Sequence, residues 1–200
     1  MKILQTLLAL LLAFSFISCG DDDEPAAPPE ENAEEVITDV LLTFTPQEGG
    51  ATVTARAQDS DGEGPLPLQV IGDITLQSAS NYELTLELTN AENPADIEDI
   101  TDEIREEADE HMFFFSWTDG LFSNPVGNGN IDTRFDAVNY GDTDINGLPL
   151  GLTTSWSTGP PASGSFRVIL KHQPDGIKTT TSSSSNGDTD IDISWQILLR

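Results

Sequence analysis

The sequence predicts an all-β fold, an antiparallel immunoglobulin-like β-sandwich with one short inserted acidic helix. Three observations lead there. Short runs alternate apolar and polar side chains at the period of a strand, and Gly-, Pro-, Asp- and Asn-rich turns separate them. No regular alternation of strand and helix patterns and no Gly-rich phosphate loop is present, which argues against a doubly wound fold. A single stretch, Asp96 to Met112, repeats its apolar residues at helical spacing.

Taken in order, Val36 to Thr45 places Ile37, Val40, Leu42 and Phe44 as the apolar members of a first strand. Ala51 to Ala57 follows the Gly49-Gly50 turn and completes a hairpin. Asp59 to Pro67 is a loop of Gly, Pro and Asp, and Leu68 to Leu76 is the next strand. Tyr82 to Thr89 alternates most cleanly, with Tyr82, Leu84, Leu86 and Leu88 on one face and Glu83, Thr85, Glu87 and Thr89 on the other. In the helical stretch Ile97, Ile100, Ile104, Ala108 and Met112 recur at spacings of three and four, with Asp96 as N-cap. Phe113 to Trp117, Leu152 to Thr158, Ser165 to His172 and Asp190 to Leu198 are the remaining strands. Lys178 to Asp188 is a Ser/Thr-rich connection, long for a hairpin and expected to be mobile.

The chain has 35 acidic residues against 8 basic ones, a formal net charge of −27. Nucleic acid and anionic membrane surfaces both need a basic patch, so this balance argues against both as partners. The sole cysteine, Cys19, lies where an apolar segment meets acids, in Phe16-Ile17-Ser18-Cys19-Gly20-Asp21-Asp22-Asp23-Glu24. With Lys2 ahead of it and Ser18 before the cysteine, residues 1–18 resemble a lipoprotein signal peptide and are too short for a stable transmembrane helix. The expectation is cleavage before Cys19, acylation of that residue, and an acidic linker through residue 35 leading to a domain over 36–200. An acidic segment directly after the cysteine looks like the surface-export signal of Bacteroidota lipoproteins. Cys19 once lipidated, no thiol is left for a disulfide, a thiolate metal site or a nucleophile.

The helical stretch carries the densest chemistry. Glu106, Glu107, Asp109 and Glu110 fall in its last turns, where the helix dipole disfavours carboxylates, and a bound cation relieves that conflict. His111 follows Glu107 by four residues, so carboxylate and imidazole point to one side of a helix, half of a site for Zn²⁺ or another divalent transition metal. His172, the second of two histidines, ends a strand and enters the turn Gln173-Pro174-Asp175-Gly176. If that turn lies beside the helix end, Glu107, His111 and His172 converge, with Asp109 or Asp175 as a fourth ligand. The competing reading is a solvated acidic face with two unrelated histidines. An alternative calcium site is Asp142-Thr143-Asp144-Ile145-Asn146-Gly147, where Asp142, Asp144 and Asn146 match the first half of an EF-hand-like loop. Its twelfth position is Thr153 rather than Glu, so the bidentate ligand is missing, and an Asx-rich turn is the competing reading. No Gly-x-Ser-x-Gly, His-Glu-x-x-His or cysteine nucleophile is present, and the expectation is a protein that is not an enzyme.

Glu106 to Phe114, Tyr140 to Asp144, Gly151 to Thr154 and Leu170 to Gly176 together resemble a family of small Bacteroidota lipoproteins with no assigned reaction or ligand. The resemblance spans roughly Glu34 to Leu198. Members often carry the label of a type 1 periplasmic binding fold, a larger architecture of alternating strands and helices that this pattern does not fit. The resemblance implies a cell-envelope role, with a TonB-dependent outer-membrane receptor as partner, and marks the two histidine segments as distinctive. The resulting expectation is a lipid-anchored, surface-exposed outer-membrane binding module for a divalent metal. The alternative is a structural or adhesive domain with a calcium-stiffened loop.

Overall fold

The computed structural model describes residues 35–62 and 67–200. The expected signal peptide, Cys19 and the expected linker up to Glu34 lie outside the described residues. The fold is all-β with one short helix, as the alternation predicts. A six-stranded sheet is built from β1 (Asp39–Pro46), β2 (Val53–Gln58), β3 (Gln69–Ile71), β5 (Asn81–Thr89), β7 (Phe122–Asn124) and β8 (Thr153–Thr158), in the order β3-β2-β1-β5-β8-β7. A four-stranded sheet holds β4 (Ile74–Leu76), β6 (His111–Trp117), β9 (Ala162–His172) and β10 (Asp188–Leu199), in the order β4-β10-β9-β6. The helix α1 covers Ile100–Glu106.

The alternating faces meet in one core. Val40, Leu42 and Phe44 of β1 join Leu84, Leu86 and Leu88 of β5, Phe113 and Phe115 of β6, Phe166, Val168 and Leu170 of β9, and Trp195 of β10, all fully buried. Trp156 lies at its centre, edge-on to Trp117 at 5.0 Å and to Phe166 at 5.2 Å between ring centroids. Its indole N–H donates to Thr154 Oγ1 at 2.7 Å, so this buried ring leaves no polar group unpaired.

Four differences from the sequence expectation have physical causes. The single strand expected over Leu68 to Leu76 is two strands in two sheets: β3 pairs with β2, and β4 pairs with β10. Gly72, with φ of +80°, makes the turn between them in a conformation other residues rarely adopt. β4 runs parallel to β10, so the architecture is not wholly antiparallel. The helix is shorter than the apolar periodicity suggests. Residue 98 bridges back to Asn90, the N-cap is Asp99 rather than Asp96, and the aromatic run from His111 belongs to a strand. Finally, the Ser/Thr-rich connection is tied down. Gln173, fully buried, donates through Nε2 to Ser183 O and Asn186 O, both at 3.1 Å, and Ser184 Oγ donates to Ile131 O at 2.6 Å.

One edge of the four-stranded sheet is closed by a loop. The outward backbone groups of β6 are met by Leu150 O on Phe113 N, Tyr140 Oη on Phe113 O, the Asn130 side chain and amide on Phe115 N and O, and Asn128 O on Trp117 N. Gly129 permits the approach: a Cβ there would lie 2.1 Å from Phe115 O.

Candidate metal centre

In β6, His111, Phe113, Phe115 and Trp117 share the core face, and in β9 Phe166, Val168, Leu170 and His172 do so. The register pairs Trp117 with Phe166, Phe115 with Val168, Phe113 with Leu170, and His111 with His172. The two histidines are thus the last cross-strand pair of the core ladder, at the end of the sandwich. Their rings stack with centroids 4.6 Å apart and planes 5° from parallel. His111 is fully buried and His172 nearly so.

Carboxylates surround them. Glu35, on the chain segment entering β1, brings Oε1 to 3.0 Å from His111 Nε2, with 7% of its side chain exposed. The turn between α1 and β6 supplies Glu107 and Glu110, and Glu110 Oε2 lies 3.5 Å from His172 Nε2. Among the described residues, two groups could therefore hold a metal ion: Glu35, His111 and His172, and Glu107, Glu110 and His172. Within each group the ligand atoms lie within 4.8 Å of one another, against the roughly 3.4 Å separation of ligands on a tetrahedral Zn²⁺.

Donor chemistry and orientation bear on the fit. His111 Nδ1 lies 3.2 Å from Glu107 O, and a carbonyl only accepts, so Nδ1 carries the proton. That leaves Nε2 aimed at Glu35, and a backbone carbonyl on the other ring nitrogen is what fixes the orientation of a ligating imidazole. Each buried Nε2 therefore faces a carboxylate, Glu35 Oε1 at 3.0 Å for His111 and Glu110 Oε2 at 3.5 Å for His172. Because the rings stack nearly parallel, an ion cannot lie in both ring planes at once. Joint ligation therefore requires one imidazole to turn about its Cβ–Cγ bond.

The charges are balanced between the partners. Burial opposes the imidazolium of His111, but the hydrogen bond and charge of Glu35, aided by Asp190 and Glu107 O, outweigh it and raise its pKa above 6.5. Burial likewise opposes the Glu35 carboxylate, and His111 outweighs it, so its pKa falls below 4.5. Glu107 is shifted up, by burial first and by Glu35 and Glu110 against the pull of the histidines. Asp190 sits at the register shift between Thr189 and Ile191 in β10, a bulge that re-aims one side chain. A groove of about 550 Å³ runs past Glu35, Asp190, Asp59 and Leu68.

Of the residues singled out from sequence, His111, His172 and Glu107 come together. His111 opens a strand, so its proximity to Glu107 comes from the turn rather than from a helix face. Asp109 and Asp175 are exposed and belong to neither group. Glu35 and Glu110 were not expected as ligands: Glu35 was placed in the linker, and Glu110 carried no signal beyond the acidity of its neighbours. The calcium candidates are engaged otherwise. Asp142 accepts from Gly151 N at 2.7 Å and Thr153 N at 3.1 Å. Asp144 Oδ1 accepts from Asn146 N and Leu148 N, both at 2.8 Å, while its Oδ2 lies 3.1 Å from Lys178 Nζ, both side chains fully buried. The Asn146 side chain is exposed. A lysine ammonium thus supplies the positive charge in that loop, and its Nζ also donates to Ala108 O at 2.6 Å.

Among the described residues no helix is long and apolar enough to cross a membrane. No protein-family model, curated protein or solved structure matches the chain.

Proposed function

We propose that this protein is a non-enzymatic binding module for a divalent transition metal such as zinc, held at Glu35, His111 and His172. The observation that carries this reading is the buried pair of stacked imidazoles, with Glu35 3.0 Å from the Nε2 of one and Glu110 3.5 Å from the Nε2 of the other. Two buried histidines at the end of a β-core are costly unless they are paired or ligate. Imidazole with carboxylate is the donor set that suits Zn²⁺ and its neighbours better than Ca²⁺. The apolar segment ending at Cys19 supports a lipid anchor, and the resemblance to Bacteroidota lipoproteins implies exposure at the outer membrane and delivery of the ion to a TonB-dependent receptor.

Isothermal titration of Zn²⁺ into the chelator-stripped full chain in detergent tests this reading. The expected result is a one-to-one event that is lost in His111→Ala/His172→Ala and weakened about 10- to 100-fold in Glu35→Gln. Weak, multi-site heat that survives the double substitution would instead make the acidic turn a solvated face. Because Glu35 raises the His111 pKa and a ligating imidazole must be neutral, the ion competes with the proton and binding strengthens as the pH rises.

A further inference from the structure

The two candidate groups are not equivalent, and they share a ligand. The inner group, Glu35, His111 and His172, has side-chain exposures of 7%, 0% and 4%. The outer group, Glu107, Glu110 and His172, is half-buried, with 30% of the Glu110 side chain exposed. The inner set contains two imidazoles and the outer set one, so a transition metal prefers the inner set. A dehydrated ion does not cross a buried position without ligands, because desolvating its charge costs many kcal/mol. An ion that keeps one bond to His172 exchanges its remaining ligands one at a time.

Resting on the metal-binding reading above, we propose that the outer group is the loading station of this site. Zn²⁺ is captured by Glu107 and Glu110 with His172, then passes inward as His111 and Glu35 replace the two glutamates, His172 staying bound throughout. Release retraces the path. No covalent bond is made or broken beyond ligand exchange, and any proton displaced from a ligand passes to solvent. Glu107 has a second tie to the inner group, since its carbonyl oxygen fixes the His111 ring through Nδ1. A Gln at position 107 keeps that carbonyl, so the substitution removes only the carboxylate charge.

The test is stopped-flow uptake of Zn²⁺ by the stripped full chain, and its extraction by excess chelator, in wild type and Glu107→Gln/Glu110→Gln. Folding is checked by circular dichroism, and Glu110→Gln alone serves if the double variant misfolds. The expected result is one ion per chain with little change in Kd and both rates slowed about 10-fold or more, the scale on which acid-lined entrances raise encounter rates. Loss of equilibrium binding in this variant would make the outer glutamates final ligands and overturn the two-station scheme. Unchanged rates, or slowing that appears in Asp59→Asn instead, would move the entrance to the groove beside Glu35 and overturn it too. Absence of Zn²⁺ binding by wild type would sink the metal reading itself, an outcome separate from these.

Discussion

The Glu35 carboxylate stands 3.0 Å from a fully buried imidazole, and each group shifts the other toward its charged form. The sign of the consequence follows. The raised His111 pKa contributes stability that is fully present below about pH 6.5 and lost as the pH rises through the folded value. The lowered Glu35 pKa contributes stability present above about pH 4.5 and lost as the pH falls through its folded value. His172, Glu107, Glu110 and Asp190 face the same pair and share its field. Urea denaturation in chelator should therefore show the metal-free wild type furthest above Glu35→Gln between about pH 4.5 and 6.5, and converging with it as the pH rises through the folded His111 value. A gap that widens toward alkaline pH would mean that Glu35 is held by something other than His111. Asp144 and Lys178 offer a second residue-scale case. Asp144→Ala strands a buried ammonium and is expected to cost about 3–5 kcal/mol, whereas Asp144→Leu with Lys178→Met should cost far less. Comparing the two in urea separates a stranded charge from lost packing.

At the scale of elements, α1 is held by two side chains. Asp99 accepts from Thr101 N at 3.1 Å and caps the helix, so Asp99→Ala should cost about 1 kcal/mol. Thr101 Oγ1 accepts from Leu88 N at 2.8 Å and donates to Leu88 O at 3.1 Å, standing in for a neighbouring strand near the end of β5. Thr101→Val leaves both buried groups unmet and should cost about 2–4 kcal/mol by thermal or urea unfolding. A cost under that of the cap would mean that water replaces the hydroxyl. Strands with strict alternation were legible in the sequence: Tyr82 to Thr89 differs from β5 by one residue. What alternation does not encode is where a strand changes sheets, as at Gly72, or a short segment such as β7 with a single buried residue. The helix was misjudged because Ile97, Ile100 and Ile104 fit a helical period while Ile97 is 59% exposed and lies before the cap. The histidine pair was legible only as a conditional, since cross-strand register joins residues 61 positions apart. Glu35 was invisible because its role comes from where the entering chain docks, and local composition there reads as linker.

Over the whole molecule, a formal charge of −27 is set against one main core between the sheets and a small apolar cluster of Met112, Phe114 and Ile169. Self-repulsion of this size destabilises the folded state and is screened by salt. The melting temperature should thus rise by several degrees between about 10 mM and 500 mM NaCl, a shift worth about 1 kcal/mol or more. A flat response would mean that the unfolded chain carries the same repulsion. Divalent ions should exceed the ionic-strength effect only through the histidine site, so the excess should vanish in His111→Ala/His172→Ala.

The loop over β6 has a consequence beyond holding the sheet together. Phe113, Phe115 and Trp117 present their outward amides to Leu150, Asn130 and Asn128, and so the hydrogen bonds that an incoming foreign strand would need are already made within the chain. A single peptide-bond cut between Ile131 and Asn139 would leave the aromatic core intact while loosening that seal. Damage of this kind would surface first as templated, strand-by-strand self-association between copies of the protein, well before any loss of secondary structure.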